Sequence, residues 1–309
     1  MTKNNLLDRF EGCLLGVGIG DALGLPVEGW AAKKIRANYS YINNYLEGVL
    51  AKGSISDDTQ LTLLLAESLQ EKNGFDAADF AQRLKEWPSY QIGGGLASLT
   101  AAARLAKGIH YCESGVKSAG CGGAMRVAPI GLFYSHASNE LATHAVEQAR
   151  ITHSDPRATA GAYVVAQMVA NGVNSSAGFD DSCFPILLER TRKISPEMAA
   201  HLDLIPKLLE SSWEEAINVL GSSGFVLETV ASAIWAFWRN SFSFSDAVLG
   251  AVNLGGDTDS RGAITGAIAG AYLGKSQIPA PLLNDLNQEA ALRLSQLAGV
   301  LLSKAAVKD

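Results

Sequence analysis

Several things are scarce in this sequence, and each shortage closes off a class of protein. Four cysteines, Cys13, Cys112, Cys121 and Cys183, are scattered over 309 residues with no C-x-x-C pair. Neither a zinc ribbon nor a disulfide framework is indicated, and reduced thiols in a cytoplasmic setting are expected. No run of Lys or Arg is long enough to track a phosphate backbone, and the net charge is -6, which argues against polymeric nucleic acid as a partner. The N-terminus meets Asp8, Arg9 and Glu11 before any long apolar stretch, which leaves no room for a signal peptide. The longest weakly polar segment, Gly262 to Gly274, is shorter than the ~20 residues that span a bilayer. It reads as a tightly packed core helix, and no membrane partner is expected.

Strict apolar–polar alternation is also scarce, whereas helical periodicity recurs: Leu61, Leu64, Leu65 and Leu69; Leu96, Leu99 and Ala103; Tyr163, Val164, Gln167 and Met168. Helix starts are marked at Ser56-Asp57-Asp58, Ser154-Asp155-Pro156 and Ser195-Pro196-Glu197. With 48% hydrophobic and 18% charged residues, the composition suits a packed core, and an all-α fold is expected. No linker divides the chain, the only loose stretch being Asn171 to Asp181, so one domain over residues 1–309 is expected. Gly-rich and Ala-rich helices near both ends permit close backbone approach.

Two acidic segments carry the chemistry. Gly53-Ser54-Ile55-Ser56-Asp57-Asp58-Thr59 sets adjacent carboxylates and hydroxyls at a helix start. They are either an acidic N-cap or a hard-cation site built from carboxylate, hydroxyl and water oxygens. Far downstream, Gly255-Gly256-Asp257-Thr258-Asp259-Ser260-Arg261 offers the same donors at a Gly-rich helix start. An Asx turn with a capped helix would explain it alone; together the two segments read better as halves of a dinuclear oxygen-ligand site. Asp21, between Gly20 and Ala22, is read as a buried acceptor that orients a turn or a metal ligand. Gly120-Cys121-Gly122-Gly123, before Ala124-Met125-Arg126, leaves backbone N–H groups that could hold a phosphate. Trp87, Trp213, Trp235 and Trp238 stand at helical spacing and read as core.

Gly20-Asp21-Ala22-Leu23-Gly24 with Glu28, Ser56 to Thr59, Gly122 to Arg126, Thr152-His153-Ser154 and Gly256 to Asp259 together resemble the ADP-ribosylglycohydrolase family, in its order and over most of the chain. The resemblance implies a compact orthogonal all-α bundle with two Mg²⁺ or Mn²⁺ ions at helix N-termini. It implies hydrolysis of ADP-ribose from a protein side chain or a small conjugate. It assigns the metals to Ser56, Asp57 and Asp58 on one side and Asp257, Asp259 and Ser260 on the other. Ser stands where the family often has Thr, and keeps the hydroxyl while losing the methyl that stiffens its rotamer.

By the same resemblance Glu28 lies on a mobile loop with an acid–base or gating role, and Glu28 or Asp58 serves as acid or base. The loop of Gly120, Cys121, Gly122 and Gly123 with Met125 contacts ribose and phosphates, Cys121 replacing the usual Asn. His153 lies near the ribose or diphosphate. Arg261, where small or apolar residues are frequent, is expected to pair with a carboxylate of the site or meet the substrate. Two alternatives stay open: a catalytically silent ADP-ribose-binding relative, and a hydrolase of a different N- or O-glycoside. Leaving group and oligomeric state are not readable.

Overall fold

The computed structural model describes residues 2–176 and 178–305. Among them there are α-helices, short 3-10 turns and three isolated bridges, with no β-strand. Seven helices of thirteen residues or more form the frame: α1 (Lys3–Gly24), α2 (Asp57–Lys72), α3 (Ser138–Arg150), α4 (Pro156–Asn174), α5 (Val226–Arg239), α6 (Thr258–Leu273) and α7 (Gln288–Ala305). The marked starts hold. Ser56 caps α2, Asp155 caps α4 with Pro156 in its first turn, and Ser195 caps the helix Pro196–Leu202.

Leu61, Leu64, Leu65 and Leu69 are buried as expected, and so are Tyr163, Val164 and Met168. The stripe of Leu96, Leu99 and Ala103 is different. The helix Leu96–Ala106 forms, yet Leu96 is 83% exposed and the buried face is Ser98, Ala101, Ala102 and Leu105. Small residues let that face pack closely, whereas leucine periodicity marks the wrong side. The expected loose stretch begins later, because α4 continues through Asn174; Ala177 lies outside the described residues.

The seam between α1 and α6 positions the site. Glycines four residues apart on each helix meet in reverse order, so the helices run antiparallel with backbones touching. A Cβ built on Gly16 would lie 2.0 Å from the Gly266 carbonyl oxygen, and one on Gly20 would lie 1.9 Å from that of Gly262. Each glycine costs about 1 kcal/mol of helix propensity against Ala, and the close packing offsets it. The seam brings the last turn of α1, with Asp21, beside the first turn of α6, with Asp259. The segment Asn5–Val27 is long and apolar enough to cross a membrane, unlike the shorter Gly262–Gly274 stretch. Of its apolar window, however, 83% is buried inside the protein.

Candidate active site

Asp21 is wholly buried. Its carboxylate accepts hydrogen bonds from Ser56 N (2.9 Å), Thr59 N (3.1 Å) and the Thr59 hydroxyl. These donors belong to the first turn of α2, whose N–H groups have no partner within the helix. Burial raises the Asp21 carboxyl above the usual range, and the bonds from Thr59 and Ser56 oppose the shift. Ser56 Oγ accepts from Asp58 N at 3.4 Å. Capping therefore falls to Ser56 with Asp21 behind it, and the carboxylates of Asp57 and Asp58 are not used as caps.

The start of α6 is built differently. Asp257 occupies the cap position but makes no capping side-chain bond, so the Asx-turn explanation does not describe this segment. Gly255 (φ +70°) and Gly256 (φ +79°) form a left-handed turn, and a Cβ on Gly256 would lie 1.8 Å from the Ser222 carbonyl oxygen. Asp257 N donates to that oxygen at 2.8 Å. Asp257 Oδ2 accepts from Thr229 Oγ1 at 2.9 Å and faces Cys121 Sγ at 3.2 Å.

Arg261 corrects its expectation, since it hydrogen-bonds no carboxylate of the site and is fully buried, away from any substrate. Its guanidinium donates to Ser232 Oγ and to the carbonyls of Ala251, Gly255 and Ser222. It holds the turn that carries Asp257. The Asp257 and Asp259 charges favour its protonated form, while burial pushes its pKa down to about 10.

The two segments meet at Asp58. Its Oδ2 lies 3.4 Å from Ser56 Oγ and 3.5 Å from Ser260 Oγ, the latter 202 positions away in the chain. Its Oδ1 is buried without a hydrogen-bond partner. Asp57 Oδ2 accepts from Gly95 N at 3.3 Å. Burial pushes the Asp57 carboxyl up to about 8, with the Asp21 and Glu28 charges adding to the rise and the Gly95 N–H opposing it. Asp58 and Asp259 are raised first by burial and then by nearby charge, Asp259 heading the charges on Asp58 and Asp257 those on Asp259.

Among the described residues no three His, Cys, Asp or Glu side chains converge enough to hold an ion by themselves. The fit to a hard divalent cation rests on the hydroxyls of Ser56 and Ser260 beside Asp58, on the unpartnered Oδ1, and on crowded carboxylates that raise one another's pKa values. Such an ion keeps several waters among its ligands.

Glu28 follows the 3-10 turn Leu25–Val27 on an exposed segment. Gly29 N donates to Gly256 O (2.8 Å) and Gly256 N to Trp30 O (2.7 Å), so two backbone bonds tie this segment to the Asp257 turn. Burial, followed by the Asp257 and Asp21 charges, raises the Glu28 carboxyl above its usual range, and the neighbouring Asp259 opposes the shift.

The glycine loop lies across the site. Gly120 N donates to Ser118 Oγ and Cys121 N to Gly224 O, so two of the N–H groups expected for phosphate are already engaged. Gly123 is buried against Ala149 of α3; its missing side chain serves helix packing. Gly120 and Gly122 face His153, and Met125 Sδ is 3.7 Å from Ser260 Oγ. His153 is buried, and burial followed by the Arg126 charge pushes its pKa down to about 3. Gly95 and Thr229 lie outside every motif legible in the sequence, and Thr59 and Arg126 lie inside such motifs without a role of their own. Only Arg126, a charge inside Ala124-Met125-Arg126-Val127-Ala128, carries a local signal of burial.

Of the tryptophans, Trp87 and Trp235 are core, and Trp238 packs edge-on against Phe179 and Phe184. Trp213 lines a cavity of about 420 Å³ with Tyr41, Ile217 and Leu254.

A buried oxygen-rich acidic centre between two facing helix starts, roofed by a glycine loop and a histidine, sets this molecule among helical proteins with a carboxylate-based site. The chain belongs to the ADP-ribosylglycohydrolase family, whose model matches residues 2–309 and whose homologues are glycosyl hydrolases. It is 37% identical to an uncharacterized protein of Archaeoglobus fulgidus, over 85% of this chain and 87% of that one. It is 29% identical to the ADP-ribosylarginine hydrolase Tri1 of Pseudomonas putida, over 90% of this chain and 74% of that one. Among solved structures, an "ADP-ribosylglycohydrolase-related protein complex" superposes with a TM-score of 0.78 at 30% identity, over 98% of this chain and 99% of that one.

Proposed function

We propose that this protein is a divalent-cation-dependent hydrolase that cleaves the ribose C1 glycosidic bond of ADP-ribosylated protein side chains or related ADP-ribose conjugates. The observation that carries the reading is Asp58, a buried carboxylate with one oxygen facing the hydroxyls of Ser56, two positions away, and Ser260, 202 positions away, and the other without any donor.

Two Mg²⁺ or Mn²⁺ ions would be held by Ser56, Asp57 and Asp58 and by Asp257, Asp259 and Ser260, supplying Lewis-acid charge and a water of lowered pKa. The remaining chemistry belongs to the protein. Asp21 and Arg261 hold the two helix starts, so that their carboxylates face one another at little reorganisation cost. Carboxylates on both sides of the cleft stabilise positive charge developing at C1. Glu28, at the exposed rim beside the Asp257 turn, is placed to exchange a proton with the substrate or solvent, and Asp58 is the inner alternative. His153 and the loop at Gly120 and Gly122 contact the ADP-ribosyl group from the opposite side. A protein-linked leaving group is supported by the Pseudomonas putida relative, which is named for ADP-ribosylarginine.

The direct test is hydrolysis of ADP-ribosyl-arginine and ADP-ribosyl-serine peptides with Mg²⁺, repeated with EDTA. Release of ADP-ribose that EDTA stops supports the reading and names the bond. Tight binding of ADP-ribose with no release from either peptide replaces it with a silent relative or another glycoside.

A further inference from the structure

The neighbourhood of His153 has more order than a binding histidine requires, and the order comes from two residues with no role in the chemistry above. Arg126 is completely buried. Its Nε donates to Gln148 Oε1 (2.9 Å), and its Nη2 donates to Gln148 O (3.0 Å) and to Thr152 Oγ1 (2.8 Å). A guanidinium has donors only, so the Thr152 oxygen accepts there and has one proton of its own to give.

Two acceptors lie within reach of that proton: His153 Nδ1 at 2.8 Å and the Ala149 carbonyl at 3.4 Å. The Ala149 oxygen already accepts from the backbone N–H groups of Ile151, Thr152 and His153. The shorter contact to the less committed acceptor favours donation to Nδ1, which leaves that nitrogen unprotonated. A neutral ring then carries its hydrogen on Nε2.

Nε2 faces the glycine loop. A Cβ on Gly120 would lie 3.3 Å from it, and one on Gly122 would lie 3.2 Å from it and 2.7 Å from Cε1. The absence of side chains at these two positions keeps the ring's outer edge open.

We propose that Arg126 and Thr152 are positioning residues that lock His153 as the neutral Nε2–H tautomer, presenting one hydrogen-bond donor at the glycine loop to an oxygen of the bound ADP-ribosyl group. This deepens the function proposed above and rests on it for the identity of the ligand; the tautomer itself does not. A neutral donor selects for acceptor oxygens by geometry, where an imidazolium would attract any anion. Thr152 matters through its hydroxyl, and Arg126 matters because, by donating to that oxygen, it fills one lone pair and restricts the directions in which the hydroxyl proton can point.

The chain has five histidines, few enough to resolve by long-range ¹H–¹⁵N NMR on the full-length protein at pH 7, with His153→Gln assigning the signal. The expected spectrum has a protonated Nε2 and an unprotonated Nδ1 for His153 in the wild type and in Thr152→Ser, with mixed tautomers in Thr152→Val. In the peptide assay, Thr152→Val is expected to raise KM about tenfold with kcat within about twofold, and Thr152→Ser to restore it. An Nδ1–H or doubly protonated ring in the wild type overturns the proposal. So does a Thr152→Val protein with wild-type tautomer and KM. If Thr152→Val does not fold, the wild-type and Thr152→Ser spectra decide. Absence of any ADP-ribose release from the wild type counts against the function, while the spectrum still judges the tautomer.

Discussion

The two acidic helix starts offer the same donors and are supported in opposite ways. At α2 the support is an anion: Asp21 gathers Ser56 N, Thr59 N and the Thr59 hydroxyl, and Ser56 caps the helix. At α6 the support is a cation: Arg261 gathers three carbonyls around an uncapped Asp257. The physical reason lies in which backbone groups each segment leaves exposed to the interior. The start of α2 turns free N–H groups inward and needs acceptors. Around the left-handed Gly255-Gly256 turn the carbonyls of Gly255, Ala251 and Ser222 converge and need donors. Similar sequence chemistry can therefore demand opposite buried charges.

The largest effect should come from removing what the two starts share. Asp57→Asn and Asp259→Asn are each expected to lower kcat/KM by more than about 100-fold, since losing a group that merely supports a metal ligand already costs ~10–100-fold. Circular dichroism should show the same helix content, because the change removes a crowded negative charge. Wild-type turnover in either variant would break the assignment of both starts to one centre.

Removing a single support sharpens the comparison. Asp21→Asn is expected to cost ~10–100-fold in kcat/KM, and Arg261→Lys about tenfold with a drop in stability, since an ammonium cannot reach Ser232 Oγ and three carbonyls in one fork. Equal effects of both variants on unfolding in urea, with none on turnover, would make the supports mere packing.

The seam beneath both starts can be separated from them. Gly12→Ala, in the middle of α1 and more than two turns before Asp21, should destabilise the protein by about 1–3 kcal/mol and leave kcat intact; its Cβ would lie 2.6 Å from the Gly270 carbonyl oxygen. Gly20→Ala should lower both stability and kcat, because the displaced backbone adjoins Asp21. A normal kcat in Gly20→Ala would show that the seam does not set the site's geometry.

The smallest effect concerns pH. His153 has an ordinary value of 6.5 in the unfolded chain, and burial beside Arg126 lowers it to about 3 in the folded protein. Between these values the unfolded chain holds a proton that the folded one does not. This contribution to stability is complete above 6.5 and is lost as pH falls toward 3. Urea titrations at pH 7 and pH 5 should show a steeper loss for the wild type than for His153→Gln. Parallel losses would mean that the ring is not held neutral.

Much of the outline was legible because it depends on neighbours in sequence. Caps at Ser56, Asp155 and Ser195 and the leucine rhythm of α2 are local signals of helix, and Ser56 to Asp58 with Asp257 to Ser260 announce oxygen donors. The face of Leu96–Ala106 was misread because alanine and serine carry little hydropathy although they pack well. The sequence places Arg261 behind the site but does not give its partners, because nothing near it in sequence reveals that three carbonyls converge on its side chain.

The sequence by itself determined the helical class, the helix starts and the kinds of atoms offered there, since capping and periodicity act over a few residues. Tertiary structure decided that Asp58 meets Ser260, that Asp21 rather than an acidic side chain of α2 satisfies that helix's N–H groups, and that Thr152 faces His153 while Arg126 bonds it. Apart from the contact between neighbours Thr152 and His153, each of these joins residues distant in the chain, and such pairs are fixed only when separate surfaces pack together.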